Sequence, residues 1–241
     1  MNLIKLFIKL LIFVLAISAP GYSITKNPDL ILKKVVDAFN KIKDYEVNIS
    51  IKVDVDFVKV PNTKAKIFFK QPDKMHFESE TFAMLPREGF DYTPTNILKS
   101  KHTAFYERQD TIDKFETAVI KIIPLGEAND VILSTVWVDE SKYFIRKIET
   151  TTKTKGTLLI ELKYEHRNLD FPLPSMMIFS FNVDRMNIPR GFNGDLSNRE
   201  KQKKKDDKPT TTGKVYVTYS NYKVNGGIPD SIFEKKKKTK N

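Results

Sequence analysis

His76, His102 and His166 are the chain's only imidazoles, and it has no cysteine. Metal sites gather their ligands at short spacings on one element, as in HExxH or paired Cys-x-x-Cys knuckles. Here the histidines fall 26 and 64 residues apart, so no metal is expected. The lack of thiols removes a disulfide framework, a thiolate zinc site, a cysteine nucleophile and a lipobox acylation site. Asp54 and Asp56 share the polar face of one alternating segment. Paired carboxylates can hold a cation or exchange protons; a solvated strand face is the plainer reading. No GxSxG elbow, Walker A loop or GxGxxG turn is present, and Asn225-Gly226-Gly227 reads as a turn. Trp137, the single tryptophan, is assigned to the core rather than to a stacking platform. Neither an enzyme nor a cofactor is expected. Without a nucleotide site, any vectorial transport must draw its energy from a partner.

The elements that would hold such residues are mostly strands. Asn27-Pro28 suits a helix start, with asparagine as N-cap and proline in the first turn. Ile31, Val35, Ala38 and Ile42 then recur at helical spacing, widened by Leu32, Val36 and Phe39, which predicts an amphipathic helix over Asp29–Lys43. From Tyr45 the period becomes two: Tyr45, Val47, Ile49, Ile51, Val53, Val55 and Phe57 alternate with polar residues. Pro61-Asn62 and Gln71-Pro72-Asp73 make turns, so Tyr45–Val60, Thr63–Lys70 and Lys74–Phe82 read as an antiparallel meander with Ile67, Phe69, Met75 and Phe77 inward. Further strands are predicted at His102–Arg108, Thr117–Ile123, Val131–Asp139, Tyr143–Thr152, Thr157–Glu165, Ser175–Arg185 and Lys214–Val224. Pro86–Leu98 reads as loop or short helix, and Asn187–Thr212 as a long flexible loop.

The 241 residues are 40% apolar and 11% aromatic, enough for a packed core. The net charge of +11 is unevenly placed: two lysines in residues 1–23, a surplus of three bases in Arg199–Lys208 and of five in Lys235–Asn241 leave the rest at +1. A nucleic-acid-binding domain spreads its basic footprint over one face, so nucleic acid is not an expected partner. The tail, residues 235–241, is either solvated charge or a transient contact for an anionic membrane. Met1–Ser23 places Lys5 and Lys9 before the apolar run Leu10–Ile17, with small Gly21 and Ser23 ahead of a cleavage point. That is a signal peptide cut near Ser23, with an uncleaved anchor as the alternative. Export without cysteine suits a bacterial periplasm. The expected organisation is signal peptide 1–23, one domain over 24–234 with the basic insertion 187–212, and the tail.

Ten antiparallel strands at about 4.8 Å spacing make a sheet about 48 Å wide, whereas one helix is about 10 Å across. The helix covers a fraction of one apolar face. The remainder is buried by a sandwich, which needs no ligand, or by a curved sheet around a hydrophobic hollow. The meander order favours the curved sheet: mainly β, a single antiparallel sheet forming a half-open β-barrel, with the N-terminal amphipathic helix as plug or lid.

Several blocks together resemble the LolA-type periplasmic lipoprotein carriers. They are the helix Asp29–Lys43 leading into the strand from Tyr45, the run Ala65–Asp73 ending in a proline turn, Val119–Pro124, Val136–Asp139 with Ile145–Ile148, and Tyr219–Phe233. The resemblance implies a half-open barrel whose interior takes acyl chains, an ATP-driven exporter in the inner membrane and an outer-membrane acceptor. It also implies a monomer. The family's arginine ahead of the turn proline, associated with holding the lid closed, is Gln71 here. Thr103–Glu116 is short for a full set of lid helices, and Asn187–Thr212 is unfamiliar.

The candidate acyl-chain wall is Val47, Ile49, Ile51, Val53, Val55, Ile67, Phe69, Met75 and Phe77, completed by Leu158, Ile160, Leu162, Met176 and Ile178. The lid or plug is formed by Ile31, Val35, Ala38, Phe39 and Ile42. Met75, Met176 and Met177 suit an adaptable pocket. Each of these residues equally fits plain core packing. Competing expectations are a periplasmic sensor of the envelope-stress type that binds a membrane-anchored anti-sigma factor, and a structural envelope protein with a filled core.

Overall fold

A computed structural model describes residues 26–55, 61–79, 98, 101–126, 130–154, 156–164, 171–182 and 212–234. One α-helix, α1 (Pro28–Asn40), precedes the strands β1 (Asp44–Asp54), β2 (Thr63–Lys70), β3 (Lys74–Glu78), β4 (His102–Ile112) and β5 (Phe115–Pro124). There follow β6 (Val131–Asp139), β7 (Ile145–Thr152), β8 (Gly156–Lys163), β9 (Met176–Asn182) and β10 (Thr212–Val224). All ten strands join one antiparallel sheet, in the order β3-β2-β1-β10-β9-β8-β7-β6-β5-β4. Among the described residues the fold is mainly β, an open sheet with one α-helix, as expected of a half-open barrel.

The last strand lies in the middle. β10 pairs with β1 on one side and β9 on the other, with Ile49 opposite Tyr219 and Ile51 opposite Val217. This seam welds the β1–β3 meander to the β4–β9 meander. It leaves β3 and β4, consecutive in the chain, at opposite edges. Leu98, just ahead of β4, packs on the concave cluster.

Turn chemistry sets the local geometry. Asp113 and Lys114 both have positive φ, and Ile112 pairs with Phe115, which makes the β4–β5 connection a two-residue type I′ hairpin. Asn27 caps α1 by accepting from the Leu30 N–H at 3.1 Å. The helix ends at Asn40, short of the expected Lys43. Ile42 is fully buried in the turn that follows; it continues the apolar pattern without continuing the helix, because the chain must reverse to enter β1. Asn225, at φ 56, secures that reversal. Its Oδ1 accepts from the Lys43 N–H at 2.7 Å, and its Nδ2 donates to the Lys41 carbonyl at 3.1 Å.

Among the described residues one ion pair is buried. Arg146 donates from Nε and Nη2 to Asp139 Oδ2 at 3.0 and 2.6 Å, with side chains 5% and 1% exposed. Asp139 Oδ1 accepts from the Ser141 N–H and hydroxyl, and the guanidinium lies 3.4 Å from the Phe115 ring centre. Together they build the β6–β7 turn, where Tyr143 is held at φ 58, a conformation costing a bulky residue about 1–2 kcal/mol. Desolvation pushes the Asp139 carboxyl up, and the bonds from Ser141 and Arg146 more than reverse it, so it titrates below the ordinary aspartate value. That contribution to stability is complete above about pH 4 and is lost as pH falls through the folded-state value. Arg146→Leu strands a buried carboxylate and is expected to cost about 3–5 kcal/mol at pH 7 in urea unfolding. The difference from the wild type shrinks below pH 4; a deficit that stays constant down to pH 3 refutes the assignment.

Candidate functional site

The alternation that starts at Tyr45 directs Val47, Ile49 and Ile51 of β1 to the concave side, where all three are buried. Cross-strand register carries the same face outward to Ile67 and Phe69 of β2 and to Phe77 and Met75 of β3. Val53, Met75 and Phe77 are half-buried on the main cluster, which also holds Ile160 and Leu162. Phe69 belongs to a second cluster with Phe39, Ile42 and Leu173. Leu158 and Phe181 form a third, against half-buried Val55, Phe179 and Val215. Twelve of the fourteen wall candidates therefore share one face.

The other two do not. Register pairs Leu162 with Met177, Ile160 with Phe179 and Leu158 with Phe181, so β9 offers Met177, Phe179 and Phe181 to the hollow. Met176 and Ile178 lie on the convex side. The run Met176–Phe181 is apolar at both parities except for Ser180, so alternation had no basis for choosing, and only pairing with β8 decides. Sequence reading also missed Ile120, Val136, Ile148 and Val217, which are at most 2% exposed in the concave core. The apolar runs around them mark their strands but leave open which face turns inward.

α1 lies across this wall. Ile31, Leu32 and Val35 enter the main cluster and Phe39 the second; Ala38 is half-buried on the helix shoulder. At one end, Lys26 Nζ meets the Glu140 carboxylate at 2.5 and 2.6 Å, a bond that holds its ammonium above the ordinary lysine value. Lys34 Nζ donates to the Tyr143 hydroxyl at 2.9 Å and sits 4.5 Å from that ring's centre. At the other end, the Phe39 and Phe69 rings meet edge to face at 5.6 Å. The helix, about 20 Å long, thus bridges the β6–β7 turn and β2. Gln71 follows β2; its Nε2 is fully enclosed and has no hydrogen-bond partner among the described residues.

The chemistry this arrangement offers is apolar enclosure. Among the described residues, no three His, Asp or Glu side chains gather as metal ligands. His76 lies in β3 against Phe68, and His102 opens β4; His166 and Asp56 lie outside the described residues. Trp137 is 5% exposed on the convex side, its Nε1 donating to Asp110 Oδ2 at 3.0 Å. A cleft of about 460 Å³ is lined by Asn48, Ile49, Ser50, Lys64, Ala65, Lys66, Thr218 and Ser220, on the β1–β2–β10 stretch of the sheet. No described helix is long and apolar enough to cross a membrane.

No family model matches the sequence, and no curated protein does. Solved structures do match in shape. A DUF1329 family protein from Desulfovibrio piger aligns over 87% of this chain and 98% of its own, with TM-score 0.55 and 10% identity. A LolA superfamily protein from Nitrosomonas europaea covers 88% and 99%, with TM-score 0.51 and 14% identity. A putative outer-membrane lipoprotein-sorting protein domain from Vibrio parahaemolyticus covers 86% and 97%, with TM-score 0.52 and 9% identity.

The polar anchors of α1 predict a local effect. Glu140→Gln combined with Tyr143→Phe removes part-exposed contacts worth about 0.5–1 kcal/mol. Amide exchange over residues 31–39 should then speed a few-fold while β1 and β10 keep their protection; equal acceleration in the sheet would contradict the bridging role.

Proposed function

From a LolA-type fold with an open concave wall, we propose that this protein binds acyl chains of lipids or lipoproteins and carries them through the bacterial periplasm. One observation supports this most directly: side chains of α1 enter the first two concave clusters, whereas the third, around Leu158 and Phe181, contains none. Val55, Phe179 and Val215 stay half-buried there. Apolar wall left open by the protein's own helix is what an alkyl tail would cover.

The energetics suit a carrier. Each buried CH₂ is worth about 0.8 kcal/mol, so a 16-carbon chain in water is penalised by roughly 12 kcal/mol. The wall must offset most of that while still releasing its guest. Export by residues 1–23 would deliver the protein to the periplasm, with an inner-membrane ATP-driven exporter as donor and an outer-membrane acceptor as recipient. The basic tail, residues 235–241, would add transient contact with anionic membrane. On this reading the protein is not an enzyme, acts as a monomer and needs no cofactor.

Native mass spectrometry of the protein purified from a bacterial periplasm should reveal bound acyl species, and a fluorescent fatty-acid probe should bind it. Phe179→Asp with Val215→Asp puts two charges on half-buried wall positions. It is expected to weaken the probe at least ten-fold with unchanged far-UV dichroism. A wild-type protein that carries no lipid and takes up no probe refutes the proposal.

A further inference from the structure

Three half-buried phenols sit on the concave side, Tyr164, Tyr219 and Tyr222. Burial pushes all three above the ordinary tyrosine value, so each remains a neutral O–H donor. Two have acceptors: Tyr164 donates to the Ile145 carbonyl at 2.8 Å and Tyr222 to the Pro174 carbonyl at 2.9 Å. Tyr219 does not. Its backbone N–H is bonded to the Ser175 carbonyl at 2.8 Å and its ring stacks on Tyr222 at 6.1 Å, but its hydroxyl has no hydrogen-bond partner among the described residues. Nor is that oxygen sealed in: the only fully enclosed side-chain polar atom without a partner among the described residues is Gln71 Nε2. Tyr219 is half-buried within the main apolar cluster, opposite Ile49. Its hydroxyl therefore opens on the hollow.

A phenol there is satisfied as long as water reaches it. Filling the hollow with alkyl chain expels that water and strands the donor, which then has no hydrogen-bond partner. A hydrocarbon tail brings no acceptor, but the ester carbonyl at its head does. Resting on the acyl-chain reading above, we propose that the Tyr219 hydroxyl donates a hydrogen bond to the carbonyl of an acyl ester. It thereby selects ester-linked chains over ether-linked or bare alkyl chains. Diacylglyceryl lipoproteins and glycerophospholipids share that ester.

The test compares monopalmitoylglycerol with its ether analogue hexadecylglycerol, each displacing a fluorescent fatty-acid probe from the full chain. Wild type should hold the ester about five-fold more tightly, as a single neutral hydrogen bond allows. Tyr219→Phe should abolish the ester preference: the ester loses its donor, the ether no longer strands one, and the two should bind alike. Tyr222→Phe, whose hydroxyl serves the fold, should lower the melting temperature without altering the ester-to-ether ratio. A ratio unchanged by Tyr219→Phe overturns the inference alone, and wild-type binding of neither compound overturns the acyl-chain reading with it. A diacyl lipopeptide and phosphatidylglycerol, each run against its ether analogue, separate the two sources. The ester preference must appear, and be lost in Tyr219→Phe, for whichever of them binds; its absence from both refutes the proposal.

Discussion

Everything in this molecule follows from one seam, the pairing of β1 with β10. Joining the chain's first and last strands in mid-sheet forces the two meanders into a single ten-stranded surface and sends β3 and β4 to opposite edges. A sheet about 48 Å wide then presents one continuous apolar face. The single described helix, 13 residues long, spans it in one direction only. Closing the barrel would abolish the edges; leaving it open preserves a wall larger than its cover.

The cover is held at its ends by different forces. At the β2 end the contact is aromatic and aliphatic, Phe39 and Ile42 on Phe69 and Leu173. At the other end it is polar, through Lys26 and Lys34 on a turn that the buried Asp139–Arg146 pair keeps in shape. A buried ion pair is weak evidence for stability as such. Its role here is geometric: it fixes the turn that positions Glu140 and presents Tyr143 in a backbone conformation which bulky residues avoid.

Much of this is legible in the order of the residues. The switch from helical to two-residue spacing near Tyr45 marks the end of α1 and the start of β1, and β6 runs over the predicted Val131–Asp139. The half-buried face of β1 is readable because polar residues alternate strictly with Val47, Ile49 and Ile51. β9 failed for the complementary reason, since a run apolar at both parities carries no facing information. The central position of β10 was illegible: pairing between Ile49 and Tyr219 joins residues 170 apart, and no local pattern reports such a contact. Nor could spacing show that Asp139 and Arg146 would meet in the interior, or that Tyr164 and Tyr222 would find carbonyls and Tyr219 none among the described residues.

The same asymmetry bears on how a guest could be exchanged. The apolar grip of α1 on the wall consists of contacts that an alkyl chain reproduces almost one for one, because burial is non-directional and scales with area. Replacing Ile31, Leu32 or Val35 by methylene groups therefore changes the free energy little. The polar anchors at Glu140 and Tyr143 are part-exposed and contribute no more than about 1 kcal/mol. Gln71, just after β2, leaves its Nε2 enclosed and unpaired among the described residues. If the carrier reading holds, a helix held this way would yield to an acyl guest at nearly balanced cost in either direction. On the carrier reading, direction must then come from the affinities of donor and acceptor rather than from the carrier's own closure.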